Sequence, residues 1–431
     1  NLPDSLARFN NFMTASYQSH SQNKTLTEWL SYLESIHSFE IDLGLERIGQ
    51  VAENLAIDLS FAKVITVAGT NGKGTTCAFL ENALLGEDLS VAVYSSPHIE
   101  HFNERLRLNK LDMDDESFIR AFEMVEQKRG EISLTYYEYT SLAAFLILMA
   151  KRPDVIILEV GLGGRLDATN IIDADIAVIT TVDLDHQAFL GNDRESIGYE
   201  KAGIMRSNSV TVVGDKHPPQ SVLKYAYELN TGLFVRGQAF GVEVSPTAWR
   251  WQFNGTHLSQ LCQPYIPVDN VATALMVLSL LEVELTDDKV NRLISKTKVA
   301  GRTEVFHLDC DVMLDVGHNP QATAYLTKQI KQRNYERVYG VVGMLKDKDI
   351  ANSLLAMNEV VDKWFLGGLS APRAASAEEI AKHIAGFTLS FNCFDNVTQA
   401  YKMAVKNARA TDLVIVFGSF FTVAEIRRLL V

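Results

Sequence analysis

Two hydrophobic rhythms alternate along most of the chain. Continuous apolar runs at residues 64–68, 91–94, 155–160 and 176–182 have the length and β-branched content of strands buried on both faces. Between them, apolar residues recur at helical spacing. Thr25 to Glu28 spells a capping box ahead of Leu26, Trp29, Leu30 and Leu33, which predicts a first helix over roughly 26–37. Further helical patterns carry Cys77, Leu80 and Leu84, and then Phe118, Ile119, Phe122 and Val125 on one face. Over residues 233–267 the pattern becomes alternation, as in Val242-Glu243-Val244 and Trp249-Arg250-Trp251-Gln252-Phe253, with Asn254-Gly255 as a hairpin turn. A small antiparallel β insert is expected there. A helix resumes at Asp269 or Asn270, another ends near Ser295, and residues 296–300 read as a linker. Strands at 312–316, 337–344 and 413–417 with helices between them predict a second, doubly wound α/β domain. The expected division is 1–296 and 297–431.

Composition narrows the function classes. A chain of 431 residues is long for one core, which supports two domains. Its net charge of −13 argues against a nucleic-acid partner, so anionic ligands must be held by local groups. Cys77, Cys262, Cys310 and Cys393 are scattered with no paired spacing, which indicates neither a disulfide framework nor a zinc site and fits a reducing cytoplasm. The most apolar run, residues 142–150, is about half the ~20 residues needed to cross a bilayer. No membrane partner is expected. The polar start lacks a signal peptide's apolar core, and Met13 is a candidate start that would make residues 1–12 an extension.

The chemistry concentrates at strand ends. After the first apolar run the chain reads Gly69-Thr70-Asn71-Gly72-Lys73-Gly74-Thr75 and then turns helical. Such a loop aims backbone N–H groups and a helix N-terminus at phosphate oxygens, while Lys73 adds charge and Thr75 a hydroxyl suited to Mg²⁺. The glycine spacing departs from the strict P-loop pattern, and an ordinary strand-to-helix turn is the plain alternative. Lys73 is expected on an exposed loop. Ser96 stands just after the second strand. Glu159 is a lone carboxylate closing a buried apolar run, and a metal is its expected partner, because an unpaired buried carboxylate is costly. His186, after the next such run, is a second group that can bind metal, although a single histidine is more often structural. The two are expected at the ends of adjacent buried strands. The glycine-rich link 161–167 suits close approach to a ligand. The aromatic stretch 134–139 reads as core in preference to a wall for a planar ring.

These residues together resemble the Mur ligase superfamily and, within it, the folylpolyglutamate synthase and dihydrofolate synthase branch. The match runs from about Thr25 to the C-terminus through GTNGKGTT, YSSPH, LEVGLGGRLDATN, LDH, YEKAGI, GRTEV, DVGHNP, GMLKDKD and GSF. The resemblance implies a P-loop-type N-terminal domain followed by a smaller Rossmann-like C-terminal α/β domain. It implies that ATP activates a carboxylate as an acyl phosphate, which the amine of L-glutamate attacks through a tetrahedral intermediate. Gly69 to Thr75 would cradle the phosphates, with Lys73 on the transferred group and Thr75 near the first Mg²⁺. Ser96, Glu159 and His186 would be metal ligands, and Lys201 would be carbamylated and support a second Mg²⁺; a solvated helix lysine is the alternative. Asn270, Arg302 and Asp315 would complete the nucleotide site by domain closure, and His318 would stand near the reacting phosphate. A dihydropteroate pocket would draw on Ile41, Asp42, Leu43, Gly44, Thr135, Tyr136, Tyr137, Glu138, Leu166, Asp167 and Ala168. Expected partners are dihydropteroate, reduced folates and L-glutamate, on a monomer. Phe421 stands where a histidine is expected in close relatives.

Three rivals remain at this stage. A peptidoglycan Mur ligase normally carries a further N-terminal domain, for which the 62 residues before Lys63 are too few. A P-loop kinase would phosphorylate a hydroxyl, and a nucleotide-binding regulator would bind ATP without turnover.

Overall fold

The computed structural model describes residues 24–37, 41–245, 247–371, 373–388 and 390–431. Met13 and the 1–12 segment lie outside them. The strands are β1 (Lys63–Ala68), β2 (Val91–Tyr94), β3 (Leu106–Leu108), β4 (Leu111–Asp112), β5 (Val155–Glu159), β6 (Ile176–Ile179), β7 (Val210–Val213) and β8 (Gly232–Val235), then β9 (Gly241–Val244), β10 (Trp249–Phe253) and β11 (Thr256–Leu261), and finally β12 (Glu304–His307), β13 (Asp311–Asp315), β14 (Val338–Val342), β15 (Lys363–Gly367), β16 (Phe391–Phe394) and β17 (Leu413–Phe417). They form an eight-stranded sheet in the order β4-β3-β2-β5-β1-β6-β7-β8, a three-stranded sheet β11-β10-β9 and a six-stranded sheet β12-β13-β17-β14-β15-β16. This is the α/β architecture expected, with the small antiparallel insert between its two main sheets in the chain.

Strand β1 is parallel to both of its neighbours, β5 and β6, and from Val64 onward its side chains are buried on both faces. Val64 joins one core with Ala92, Tyr94, Ile156 and Leu158 under the helices Asp115–Arg129 and Tyr136–Lys151. Ile65 and Val67 point the other way, into a core with Cys77, Phe79, Val271 and Leu275. That face is covered by the helices Lys73–Leu85 and Val268–Leu280. The six-stranded sheet repeats the plan, with one core around Trp364, Ile415 and Phe417 and another around Val312, Leu314, Val414 and Val416 on its opposite face.

Several expectations need correction. The run Leu233–Val235, expected within the insert, sits instead in β8, which pairs in parallel with β7. A helix not expected from the sequence, Glu46–Asn54, follows Gly44, with the two buried positions Ile48 and Val51 on an otherwise polar stretch. Strands β12, β15 and β16 are additions to the expected set, and β16 is half exposed, which dilutes its apolar signal. Among the described residues no helix is long and apolar enough to cross a membrane, and the four cysteines are free thiols.

The insert is packed, not appended. Trp251 is 1% exposed and its indole N–H donates to the Ala272 carbonyl at 3.2 Å, across to the helix beside the phosphate loop. Trp251→Ala should therefore lower stability by about 3–5 kcal/mol, as expected for emptying a buried aromatic site. Urea denaturation checks this, and a loss under about 1 kcal/mol would mean that the insert contributes little to the core.

Candidate functional site

The C-terminal end of β1 opens into a cavity of about 480 Å³ that reaches both main sheets. From the eight-stranded side come Gly69 to Thr75, Ser96, Glu159, Gly161, Asp185, His186, Lys201 and Asn270; from the six-stranded side come Arg302, Asp315, His318, Gln321 and Phe420. Every residue assigned above to phosphate, metal or nucleotide therefore lines one space. The assigned pterin residues do not: none of the eleven belongs to this lining.

The phosphate loop is set by its backbone. Gly72 caps the helix Lys73–Leu85 in the left-handed region at φ 90°, and a Cβ there would come within 2.4 Å of Asn270 Oδ1. Only glycine fits. Asn270 Nδ2 donates to Thr75 Oγ1 at 2.8 Å, and Thr75 Oγ1 donates to the Gly72 carbonyl at 3.1 Å. Lys73 is not on an exposed loop as expected. It is the first helical residue, half-buried, and its ammonium folds back to donate to the Gly69 carbonyl at 2.9 Å. Burial pulls its pKa below the ordinary lysine value against the opposing charges of Glu159 and Asp185.

Glu159 and His186 do not close adjacent strands either. Strand β1 runs between β5 and β6, so the two side chains approach the phosphate loop from opposite sides. Burial raises the Glu159 carboxyl, while Lys73, Arg302 and Arg107 act against that through space and the Ser96 N–H donates to it. His186 lies seven residues beyond β6 in a left-handed conformation, φ 49°. Burial, and then the Lys348 ammonium 3.3 Å from its Nε2, press its pKa down to about 4, which keeps the imidazole neutral near pH 7. Among the described residues no three His, Cys, Asp or Glu side chains converge as a self-sufficient metal cage. One carboxylate, one neutral imidazole and the hydroxyls of Ser96 and Thr75 fit instead a hard cation that takes its remaining oxygens from phosphates and water.

Lys201 is 3% exposed in the helix Arg194–Ala202, which excludes the solvated-lysine reading. Burial and then the nearby Lys73 lower its pKa to about 7. Asp315 is held by the N–H groups of Thr303, at 2.8 Å, and Gly317, at 2.7 Å. Arg302 lies over the Phe420 ring, its guanidinium carbon 5.3 Å from the centroid. Phe421, the departure noted in the sequence, is 51% exposed and outside the cavity lining.

Asp185, Lys348, Asn319 and Gln321, none of them assigned a role from the sequence, join the two sheets through the assigned residues. Asp185 accepts from Lys348 Nζ at 2.8 Å and lies 3.5 Å from His318 Nε2. Burial alone would raise the Asp185 carboxyl, but the hydrogen bond from His318 and the charge of Lys348 hold it well below the usual carboxylate range. Asn71 and Asn319 exchange amide hydrogen bonds at 3.1 and 3.0 Å, and Gln321 accepts a second one from Asn71. Asp185 and Lys348 stand in the motifs LDH and GMLKDKD, whereas nothing in the sequence distinguishes Gln321.

The pterin set forms a structured region beside the cavity. Thr135 and Glu138 make a capping box for the helix Tyr136–Lys151, with Thr135 N–H donating to Glu138 Oε2 at 2.8 Å. Arg47 bridges Glu138, at 3.1 Å, and the Asp42 carboxylate, at 2.8 Å. Asp167 accepts from the N–H groups of Leu162 and Thr169 at 2.8 and 3.0 Å. Ala168 follows it, buried, in the short 3₁₀ turn Ala168–Ile171, while Leu166, Ile41, Leu43 and Gly44 are half-buried. The core reading holds for Leu134 and Tyr139, both fully buried; Tyr136 and Tyr137 are half-buried. Tyr137 stacks with Tyr94 at 6.2 Å, and its ring lies against Gly161 at the cavity wall.

Comparison with known proteins now decides the family. Residues 67–230 match the Mur ligase middle domain and residues 301–420 match the Mur ligase, glutamate ligase domain. The dihydrofolate synthase/folylpolyglutamate synthase of Escherichia coli (strain K12) is 44% identical over 93% of this chain and 94% of its own. The chain belongs to the dihydrofolate synthase/folylpolyglutamate synthase family of Mur ligases. Its fold is that of the family's solved members. The structure of E. coli FolC in complex with DHPP and ADP superposes with a TM-score of 0.90 at 43% identity, covering 95% of this chain and 98% of that one. A bifunctional folylpolyglutamate synthase/dihydrofolate synthase with Mn, AMPPNP and L-glutamate bound gives 0.88 at 44% identity, with 95% and 98% covered. As a member of this family the chain is an ATP-dependent ligase, which removes the kinase and the non-catalytic regulator.

Lys73→Ala tests the phosphate assignment. The side chain caps no helix and its hydrogen bond is to one carbonyl of its own loop, so the fold should survive while ligation falls by at least about a hundredfold, the scale of losing a preorganised charge at a reacting centre. Glutamate-dependent ADP release reads the activity and circular dichroism the fold; near-normal turnover would remove Lys73 from the transferred phosphate.

Proposed function

We infer that this ligase adds L-glutamate to dihydropteroate, giving dihydrofolate, and to reduced folates, lengthening their glutamate tails, at one shared site. The observation that carries this reading is the cavity between the two sheets, with a phosphate loop on one wall and Arg302, Asp315 and His318 on the other. Gly69 to Thr75 hold the phosphates of ATP and Lys73 neutralises the group being transferred. The acceptor's carboxylate attacks the γ-phosphorus, ADP leaves, and the resulting acyl phosphate is attacked by the amine of glutamate with loss of phosphate. The protein's part is positioning and charge neutralisation. Arg302 and Asp315 hold the nucleotide from the far wall, and His318, next to Asp185, stands toward the reacting phosphate. Glu159, His186, Ser96 and Thr75 would hold Mg²⁺, which supplies charge neutralisation of the phosphates when bound, and Lys201 would serve a second such site. Residues 1–296 and 297–431 are the two domains of this reading, on a cytoplasmic monomer.

The pterin end is read by the Asp42, Thr135 to Glu138 and Leu166 to Ala168 region beside the cavity. Support comes from its position: Tyr137 packs on Gly161, which belongs to the cavity wall, and Arg47 ties Asp42 to Glu138. The deciding assay compares glutamate-dependent ADP release with dihydropteroate and with a reduced folate, and activity with neither would refute the function. Asp42→Ala should reduce dihydrofolate synthesis about tenfold more than tail extension, the scale of one lost charged hydrogen bond. Equal losses would remove the selective role.

Lys201 is carbamylated in this reading. The reaction needs the neutral amine, and a lysine depressed to about 7 supplies it near neutral pH. Carbamate gives a hard cation anionic oxygens where an ammonium would repel it. Because the folded pKa lies below the unfolded one, the neutral form gains as pH rises through about 7, so modification grows on the alkaline side and acid removes it. Intact mass after trapping at about pH 8 should exceed the sequence mass by one CO₂, and at about pH 6 should not. Lys201→Ala should lose activity that acetate partly restores. An unmodified lysine in the active enzyme would end the carbamate assignment.

A further inference from the structure

The loop leaving β2 carries Ser96 into the cavity and then turns outward through His98, Ile99, Glu100 and His101. It is stiff. The Glu104 carboxylate accepts from three successive N–H groups, those of Ile99, Glu100 and His101, at 2.8, 2.8 and 2.7 Å. On its outer side this loop belongs to the other body of the molecule. Ile99 packs with Val316 and Val423 in the core of the six-stranded sheet. Room for it is made by Gly301, at φ 63°, where a Cβ would lie 3.1 Å from Val316 and 3.3 Å from Ile99.

Beside this plug, the last helix, Phe420–Arg427, delivers one guanidinium to two carboxylates. Arg427 Nη1 pairs with Glu100, and its Nε lies 3.1 Å from Glu304 Oε2. Glu304 also accepts from the Gly301 N–H at 2.8 Å, one residue before Arg302 at the cavity wall. Arg428 adds a hydrogen bond to the Glu100 carbonyl at 3.3 Å. The side chains of Glu100, Arg427 and Glu304 are only 17–21% exposed, so water screens them weakly.

We propose that Glu100 and Arg427 are positioning residues: they clasp the Ser96 loop to the six-stranded body, so that Ser96 and Arg302 are presented to the same bound nucleotide. The proposal rests on the reading of the cavity as the MgATP site. Neither residue lines that cavity, so each acts through another. The geometry also supplies the cleanest variant. Removing the Glu100 carboxylate breaks one ion pair that crosses between the two bodies, while Arg427 keeps Glu304 within its own.

The test uses the full chain. Glu100→Ala should raise KM for MgATP about tenfold, the scale of one lost charged pair across an interface, with kcat within about twofold. Its melting temperature should stay near that of the unaltered protein. That split between KM and kcat is a response that a merely structural role would not produce. Glu100→Asp should recover part of the loss. Small-angle scattering with a non-hydrolysable ATP analogue should give a larger radius of gyration for Glu100→Ala, and this arm holds whether or not ligation is seen. An unchanged KM, or in a protein without ligation activity an unchanged radius, would overturn the clasp. Absence of ligation in the unaltered protein would count against the proposed function alone.

Discussion

One strand with hydrogen bonds on both edges governs the site. Because β1 is paired in parallel with β5 and with β6, the chain leaving its C-terminal end has Glu159 on one flank and the 180–186 segment on the other. The phosphate loop is thereby centred between its metal-ligand candidates. The same pairing fixes the loop's base, since Thr70 N–H donates to the Thr181 carbonyl at 2.8 Å and Thr180 Oγ1 donates to the Asn71 carbonyl at 2.6 Å. A register slip by one residue would turn each of these side chains to the wrong face.

The second constraint is electrostatic. Lys73, Lys201 and Arg302 face one cavity with Glu159, Asp185 and Asp315, so each cation and carboxylate is displaced from its ordinary pKa by burial and then pulled back, or not, by its neighbours. Such displacement is characteristic of functional sites. Asp185 is the exception that stays firmly ionised, because Lys348 and His318 reach it from the other sheet. Closing the two bodies on each other thus sets the charge state of the site as well as its shape.

Much of this is legible in the chain. Strands buried on both faces read as continuous apolar runs, and β1, β2 and β5 lie where the runs do, because burial removes the polar alternation that makes other strands ambiguous. The residues of the phosphate loop, together with Ser96, Glu159, His186, Lys201, Asn270, Arg302, Asp315 and His318, do share one cavity. What the chain withholds is lateral order. Placing β1 between β5 and β6 depends on crossovers, so two consecutive runs read as if side by side. The Lys73 environment is likewise hidden, since the opposing charges around it, Glu159 and Asp185, lie far along the chain. Arg47, joining Asp42 to Glu138, and Gln321, reaching Asn71, are polar residues on ordinary helices whose partners only the fold supplies.

The amide pair between Asn71 and Asn319 spans 248 residues, and the bond from Asn270 to Thr75 spans 195. A loop synthesised early therefore waits for most of the polypeptide before its side chains are braced. Contacts of such separation are slow to form, because chain closure must be met before they contribute. The phosphate loop is a local motif in sequence and a late product in assembly. In the proposed reading a nucleotide bound there would be held from both ends of that long excursion, so its occupancy would add to the stability of the whole fold by mass action and not only to that of the loop.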